Sequence, residues 1–281
     1  MTNVLLDNPV FGREVRWWLR LRRLRKNKAV FWPVVGSLVC IGWFYVAALL
    51  AFTGTTADAR SLWFGCMFVQ LCLITLLSPL LAASAVSQER ERQTWETLQT
   101  TPLTGRQILG GKWLARQVPV VMLLVLLLPP VLGCAFVGDL VPSAILYVIP
   151  LLLLTSIALG MIGLTCSFLL RRTMTSVTVA LLITATLCLG PVLITNVIGV
   201  MGFDFHSGDH QSLLAVSPFY VLFKLMRWLQ PTDNPYHTYW WQAESPEGIS
   251  AVLSQYVLVS VIVITLCFVF LTNRYRKALL S

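Results

Sequence analysis

Charge is scarce in this sequence. Lys, Arg, Asp and Glu make up 12% of its 281 residues, against 57% for the hydrophobic types, whereas soluble domains are about a quarter charged. So little charge does not suit an ordinary water-facing surface, and the apolar residues are gathered into runs that a soluble core would not require. Six runs, at about 29–52, 61–86, 118–138, 142–170, 175–201 and 250–272, reach the ~20 residues a helix needs to cross the hydrocarbon layer. None of the 21 basic and 12 acidic residues falls inside them, as hydrocarbon demands of a charge that costs about 3 kcal/mol or more at mid-span. The fold class that follows is an all-α integral membrane protein with six transmembrane helices, a single domain over 1–281 that leaves no room for a soluble domain of normal size. Ala57-Asp58-Ala59 resembles a signal cleavage site. The run before it is longer than the roughly 7–15 residues of a signal core, so it reads as a retained span.

Other absences narrow the chemistry. All seven cysteines (Cys40, Cys66, Cys72, Cys134, Cys166, Cys188 and Cys267) lie within spans, so there is no disulfide framework and no pair at metal-ligand spacing; they read as packing residues. No Ser/His/Asp or Cys/His arrangement and no intramembrane carboxylate pair is present, which disfavours an intramembrane hydrolase. The lack of any ionisable residue at depth likewise disfavours a proton- or sodium-coupled carrier. Gly105 to Lys112 has the look of a phosphate loop, but the lysine comes one place late and Trp113 stands where Ser or Thr would bind magnesium. His206 and His210, near Asp204 and Asp209, are four apart, but Gly202 and Gly208 argue against a helix there, so a solvated loop is preferred to a metal site. No catalytic residue, metal or cofactor is expected on this chain. Gln70, Ser78, Ser84, Thr155, Ser156, Asn196 and Gln255 are uncharged polar residues within the spans, and read as interhelical hydrogen bonds.

What charge there is lies unevenly. Eight basic residues precede the first run, and others follow in the 87–117 loop, at Arg171 and Arg172, and at the C-terminus. That places 18 of the 21 on one side and only Arg60, Lys224 and Arg227 on the other. The positive-inside rule then puts both termini in the cytoplasm, with the chain in the inner membrane, and the basic surplus reflects insertion rather than nucleic-acid binding. Asp7-Asn8-Pro9 opens an amphipathic segment, Val10 to Lys26, with Arg13, Arg16, Arg20 and Arg23 along one side and Phe11, Val15, Trp18 and Leu21 opposite. Together with Trp17 it is expected to lie in the inner headgroup layer, in contact with lipid, either as a simple anchor or as a docking surface for a partner. Ser87 to Leu98 reads as a polar continuation of the second span, with Glu89 and Arg92 placed to pair at i, i+3. Pro102 stops it, and Thr104-Gly105-Arg106-Gln107 fits a capping box that starts a new helix. The 87–117 loop is thus a helix, an elbow at Thr100 to Thr104, and a helix. In the long outer loop, 202–249, Ser217-Pro218 caps an apolar, aromatic run from Phe219 to Leu229 with Tyr220 and Phe223 in it. It is too short to span and is expected to be re-entrant or interfacial. Tyr236, Tyr239, Trp240 and Trp241 fit an outer aromatic belt.

Asn8-Pro9-Val10 with Arg13-Glu14-Val15-Arg16, and above all Glu89-Arg90-Glu91, Thr94, Glu96-Thr97-Leu98, Thr101-Pro102-Leu103 and Gly111-Lys112, resemble the type-2 permeases of ABC exporters. The motif covers about 40 residues, while the likeness of architecture covers the whole chain. The resemblance implies two permease copies, as homo- or heterodimer, with a substrate groove between them. It also implies a separate ABC ATPase subunit that carries the ATP and magnesium. The loop between the second and third spans would act as coupling helix, making Glu89, Arg90, Glu91, Thr94, Glu96, Leu98, Thr101, Pro102 and Leu103 candidates for the ATPase contact. Glu91 and Glu96 are expected to pair with basic groups on that partner. Phe219 to Leu229 would be the outer re-entrant helix, with Pro218, Phe219, Tyr220 and Phe223 as its candidate residues. The alternative reading is a membrane anchor or scaffold that docks a cytoplasmic complex without moving anything.

Overall fold

The computed structural model describes residues 12, 56–94, 105–137, 142–200, 214–228 and 246–280. The first apolar run, the surface segment with Arg13, Arg16, Trp17, Trp18, Arg20 and Arg23, the loop tip with Glu96, Leu98, Thr101, Pro102 and Leu103, and the segment with His206 and His210 lie outside the described residues. The described elements are all helices: α1 Thr56–Ala83, α2 Ser87–Glu91, α3 Gly105–Val137, α4 Pro142–Leu169, α5 Thr173–Val200, α6 Pro218–Trp228 and α7 Pro246–Leu280. Five stretches are long and apolar enough to cross a membrane: Ser61–Glu91, Gln107–Ala135, Leu146–Leu169, Thr173–Thr195 and Ile249–Tyr275. They match the second to sixth apolar runs. The protein is a multi-pass membrane protein, helical throughout its described elements.

Hydrocarbon leaves a backbone only one local option, the intrahelical bond, so the helices run on through residues that would stop them in water. Proline lies inside α1 (Pro79), α3 (Pro119, Pro129, Pro130), α4 (Pro150) and α5 (Pro191) without ending any of them. The third span is also longer than its apolar run, because the helix that begins at Gly105 after the loop continues into it unbroken.

The bundle is organised around α4. Its apolar window is 67% buried within the chain, against 17% for those of α5 and α7. α1 packs most extensively on α4 and next on α3, while α5 and α7 flank α4. Close packing of α1 and α3 against α4 depends on two of its glycines. A Cβ on Gly163 would meet the Pro79 carbonyl oxygen at 2.6 Å, and one on Gly160 would collide with the Gln117 amide. Small residues at such seams let the backbones approach where apolar burial offers no advantage over lipid.

Polar side chains pin α1, α3, α4 and α7 to one another. Gln70 donates to the Leu124 carbonyl at 3.3 Å and Ser78 to the Ser156 carbonyl at 2.6 Å. Ser156 donates to Gln117 Oε1 at 2.7 Å, and Thr155 shares a 2.6 Å bond with the Tyr256 hydroxyl. Of the polar residues expected to bond between helices, Gln70, Ser78, Thr155 and Ser156 do so. Ser84 does not: its hydroxyl turns back to the Leu81 carbonyl of its own chain segment, and Gln255 is exposed.

α6 lies across the far end of α1, α4, α5 and α7. Ser217, just before it, donates to the Cys188 carbonyl at 2.5 Å and accepts from the Val221 amide. Its own Val221, Leu222, Leu225 and Met226 are buried against the bundle.

Candidate functional site

The second span does not continue smoothly into a polar helix reaching Leu98. α1 ends at Ala83, a turn follows at 84–86, and α2 is a single short helix ending at Glu91. Gln93 then takes φ 58°, a left-handed conformation uncommon outside glycine. The break is held by hydroxyls from two other helices. Ser167 of α4 accepts from the Val86 and Ser87 amides at 2.9 and 3.0 Å, and Ser176 of α5 donates to the Ala83 carbonyl at 2.9 Å. A broken helix leaves donors and acceptors without intrahelical partners. Here α4 and α5 supply replacements, which is why the chain turns without a glycine or proline at 84–86.

The charged triplet that follows bonds to three other helices, with Glu89 and Arg90 half-buried and Glu91 exposed. Glu89 forms a salt bridge with Lys112 of α3. Lys112 is only 1% exposed, so its charge needs the partner. The expected Glu89–Arg92 pair is absent; Arg92 is exposed while Glu89 turns to α3. The second Glu89 oxygen is buried and accepts no bond among the described residues. Arg90 donates to the Phe168 carbonyl at 2.7 Å and stacks over the Phe168 ring at 5.0 Å. That carbonyl belongs to the last turn of α4, where the helix dipole is negative and acceptors lack intrahelical donors. Glu91 accepts from the Thr173 amide and from the Thr173 hydroxyl, each at 2.7 Å. Thr173 opens α5, where the dipole is positive and donors are free. Beyond Val86, where the apolar stretch ends, these two bonds from Thr173 and then the nearby Arg172 charge hold the Glu91 carboxyl below the ordinary carboxylate range.

Arg90 and Glu91 are neighbours of opposite sign, and the α4–α5 turn at Leu170 to Arg172 presents them with two helix ends of opposite polarity. Each charge meets the end that suits it. Thr94 remains exposed, its amide and hydroxyl donating back to the Glu89 carbonyl at 3.0 and 3.3 Å. On the α3 side, Gly105 packs against the ring of Tyr275 near the end of α7, leaving no room for a Cβ. Ala85, Val86, Ile108, Leu109, Leu164, Phe168, Leu271 and Tyr275 form one apolar cluster beneath the charged layer. Five helices therefore meet the start of the 87–117 loop.

At the other end, the outer-helix candidates form an aromatic group with α1. Phe219 lies 5.6 Å from the Phe68 ring, and Phe223 meets Phe64 edge-on at 6.5 Å. Pro218 opens α6, and Lys224 sits over the Tyr220 ring at 5.5 Å. The phosphate-loop look-alike is not a loop at all: Gly105 to Lys112 is the start of α3, with its lysine taken by Glu89. Among the described residues no group of His, Cys, Asp and Glu is placed to hold a metal ion.

Sequence reasoning brings Glu89, Arg90 and Glu91 to this end of the bundle but misses what they touch. Lys112, Phe168, Ser167, Ser176 and Thr173 are remote in sequence, and the Phe168 contact is made to a backbone carbonyl that no side-chain pattern reveals. A basic residue and an acidic residue each next to a span end is the one signal that hinted at pairing.

Against known proteins, a family model described as ABC-2 family transporter protein matches residues 52–272. A comparison with curated proteins gives no match.

Proposed function

We propose, because this chain belongs to the ABC-2 transporter family, that it is the permease of an ATP-driven exporter and forms the substrate pathway as a dimer. Members of the family are membrane transport components rather than catalysts, and normally work with an ABC ATPase. In the reading advanced here, that ATPase is a separate subunit that carries the ATP and magnesium and docks on the 87–116 loop. Six spans cross the inner membrane, including 29–52, with both termini in the cytoplasm. The segment around Arg13, Arg16, Trp17, Trp18, Arg20 and Arg23 lies on the inner surface, and α6 is a re-entrant or interfacial outer helix.

The observation that carries this reading is the junction at the root of the loop. Its residues bond directly to α3, α4 and α5, so a rigid-body push on the loop reaches three spans at once. The spans hold no charge of their own at depth, which leaves the loop as the entry point for energy. Within it, Thr94 is exposed, and Glu96, Leu98, Thr101, Pro102 and Leu103 complete the partner surface.

The test is capture of the tagged chain from its native membrane in mild detergent, followed by mass spectrometry. A co-purifying subunit with phosphate-loop and ABC signature sequences, lost on replacing Glu96 and Pro102, is the expected result. Recovery of the chain at good yield with no ATPase in several detergents would overturn it.

A further inference from the structure

The Glu89-Arg90-Glu91 triplet is the most motif-like part of the loop, and a charged motif there invites a role in partner contact. Its geometry says otherwise. Each of the three side chains already has a partner inside the chain: Lys112 on α3, the Phe168 carbonyl at the end of α4, and Thr173 at the start of α5. We propose that the triplet is an internal clamp: three positioning residues that fasten the root of the loop to α3 and to the α4–α5 turn, leaving ATPase contact to the residues beyond Glu91. The proposal rests on the permease reading for its purpose, but its geometry does not depend on a partner.

Three features support a clamp over a docking patch. The Glu89–Lys112 pair is withdrawn from water on the lysine side, and a buried charge that lost its partner to a docking subunit would be left uncompensated. The order of charges in the other two residues matches the helix ends they meet: a cation at the carboxyl end of α4 and an anion at the amino end of α5. Reversed, each would face an end of its own sign. Finally, the hydroxyls of Ser167 and Ser176 fasten the preceding break to the same two helices. The loop root is therefore joined to α4 and α5 both before and at the triplet. A clamp of this kind makes the α4–α5 turn move with the loop instead of sliding past it.

The order of charges supplies the test. In the variant Arg90→Glu/Glu91→Arg, composition and net charge are unchanged but both contacts are reversed. Spin labels on Thr94→Cys and Met174→Cys, which is 81% exposed, in a background with the native cysteines replaced, report the distance from loop to α5. The permease is reconstituted in lipid nanodiscs, alone and with whatever ATPase co-purifies. The expected result is a narrow distance distribution in the parent and a broad one in the reversed variant, with the ATPase retained at parental yield. Glu91→Gln, which keeps an acceptor oxygen, is expected to fall between the two. If the reversed variant is poorly expressed, Lys112→Glu should broaden the distribution and adding Glu89→Lys should narrow it again.

An unchanged narrow distribution in the reversed variant would overturn the clamp. So would loss of the ATPase with the distribution unchanged, since that is the signature of docking residues. If the parent brings down no ATPase, the permease reading fails, and the distances alone then decide the clamp.

Discussion

At the scale of single residues, this protein is held together where helices come too close for side chains. Gly163 is the clearest case, because its missing Cβ is what allows the Pro79 carbonyl of α1 to lie against α4. Gly163→Ala inserts a methyl group against backbone that has nowhere to go, an overpacking that costs about 1–3 kcal/mol. Gly110 is the internal control, with nothing within 4 Å of the position a Cβ would take. Gly110→Ala is expected to be neutral or stabilising by about 0.5–1 kcal/mol, since glycine is the poorer helix former. Thermal unfolding of both variants in one detergent checks the pair. Equal tolerance of the two substitutions would mean that α1 and α4 are not packed as described. The seam was partly open to inspection from sequence: Ser78, Thr155 and Ser156 are polar residues in hydrocarbon and had to find partners. That Gly163 faces α1 and Gly160 faces Gln117 of α3 was not, because a glycine inside an apolar run has several uses, and only the facing residue selects one.

At the scale of elements, the break between α1 and α2 is the informative feature. It exists because Ser167 offers one hydroxyl oxygen to two backbone amides. Ser167→Ala leaves the Val86 and Ser87 amides buried without that acceptor, and an unsatisfied buried group costs about 1–3 kcal/mol. Hydrogen exchange at Val86 and Ser87 is expected to speed up while exchange within α7 stays the same; uniform change across the chain would instead indicate general destabilisation. The Glu91 cap on α5 adds a pH dependence. Its carboxyl is held below the ordinary carboxylate range by Thr173 and Arg172, so the cap contributes above the unfolded carboxylate pKa and is lost as pH falls through the lowered folded value. Exchange at the Thr173 amide is expected to rise above its intrinsic pH trend only on acidification past the ordinary range. With Thr173→Val the rise should begin at higher pH. An onset unmoved by that substitution would contradict the cap.

These elements also show where sequence reasoning stops. Spans two to six were legible because hydrocarbon admits no charge and requires a minimum length, two constraints written directly in composition. The start of α3 was legible from Thr104 to Gln107, and α6 from Ser217-Pro218 and the aromatic run behind it. The end of the loop's first helix was not. Its extension to Leu98 was a fair inference from polar, helix-forming residues, but Glu91 is drawn to Thr173 and Gln93 adopts a conformation usually kept for glycine. Tertiary contacts overrode local propensity there. Glu89 pairing with Lys112 in place of Arg92 is the same lesson: a surface i, i+3 pair is worth only about 0.2–0.5 kcal/mol, so a buried lysine across the junction outcompetes it.

At the scale of the whole molecule, three facts come together. The chain belongs to a family of membrane transport proteins; its apolar spans carry no charge in their hydrocarbon-length runs; and a densely bonded polar junction of the described residues sits where the 87–117 loop enters the bundle. α4, the most buried of the described spans, is bonded to that loop root through Ser167 and Phe168. Movement received by the loop thus has a direct route to the centre of the bundle, while α5 and α7, only 17% buried in their apolar stretches, present faces to lipid or a second copy. The central claim is that an ATPase engages this loop in the membrane, and site-specific photo-crosslinking there tests it most directly. With a photoreactive residue at Thr94, Leu98 or Thr101 in turn, irradiation of native membranes should attach a subunit bearing phosphate-loop and ABC signature sequences. The same residue at Phe223, on the opposite end of the bundle, should attach none. Attachment of no ATPase from any of the three loop positions, in membranes where the chain is present at normal level, would contradict the account.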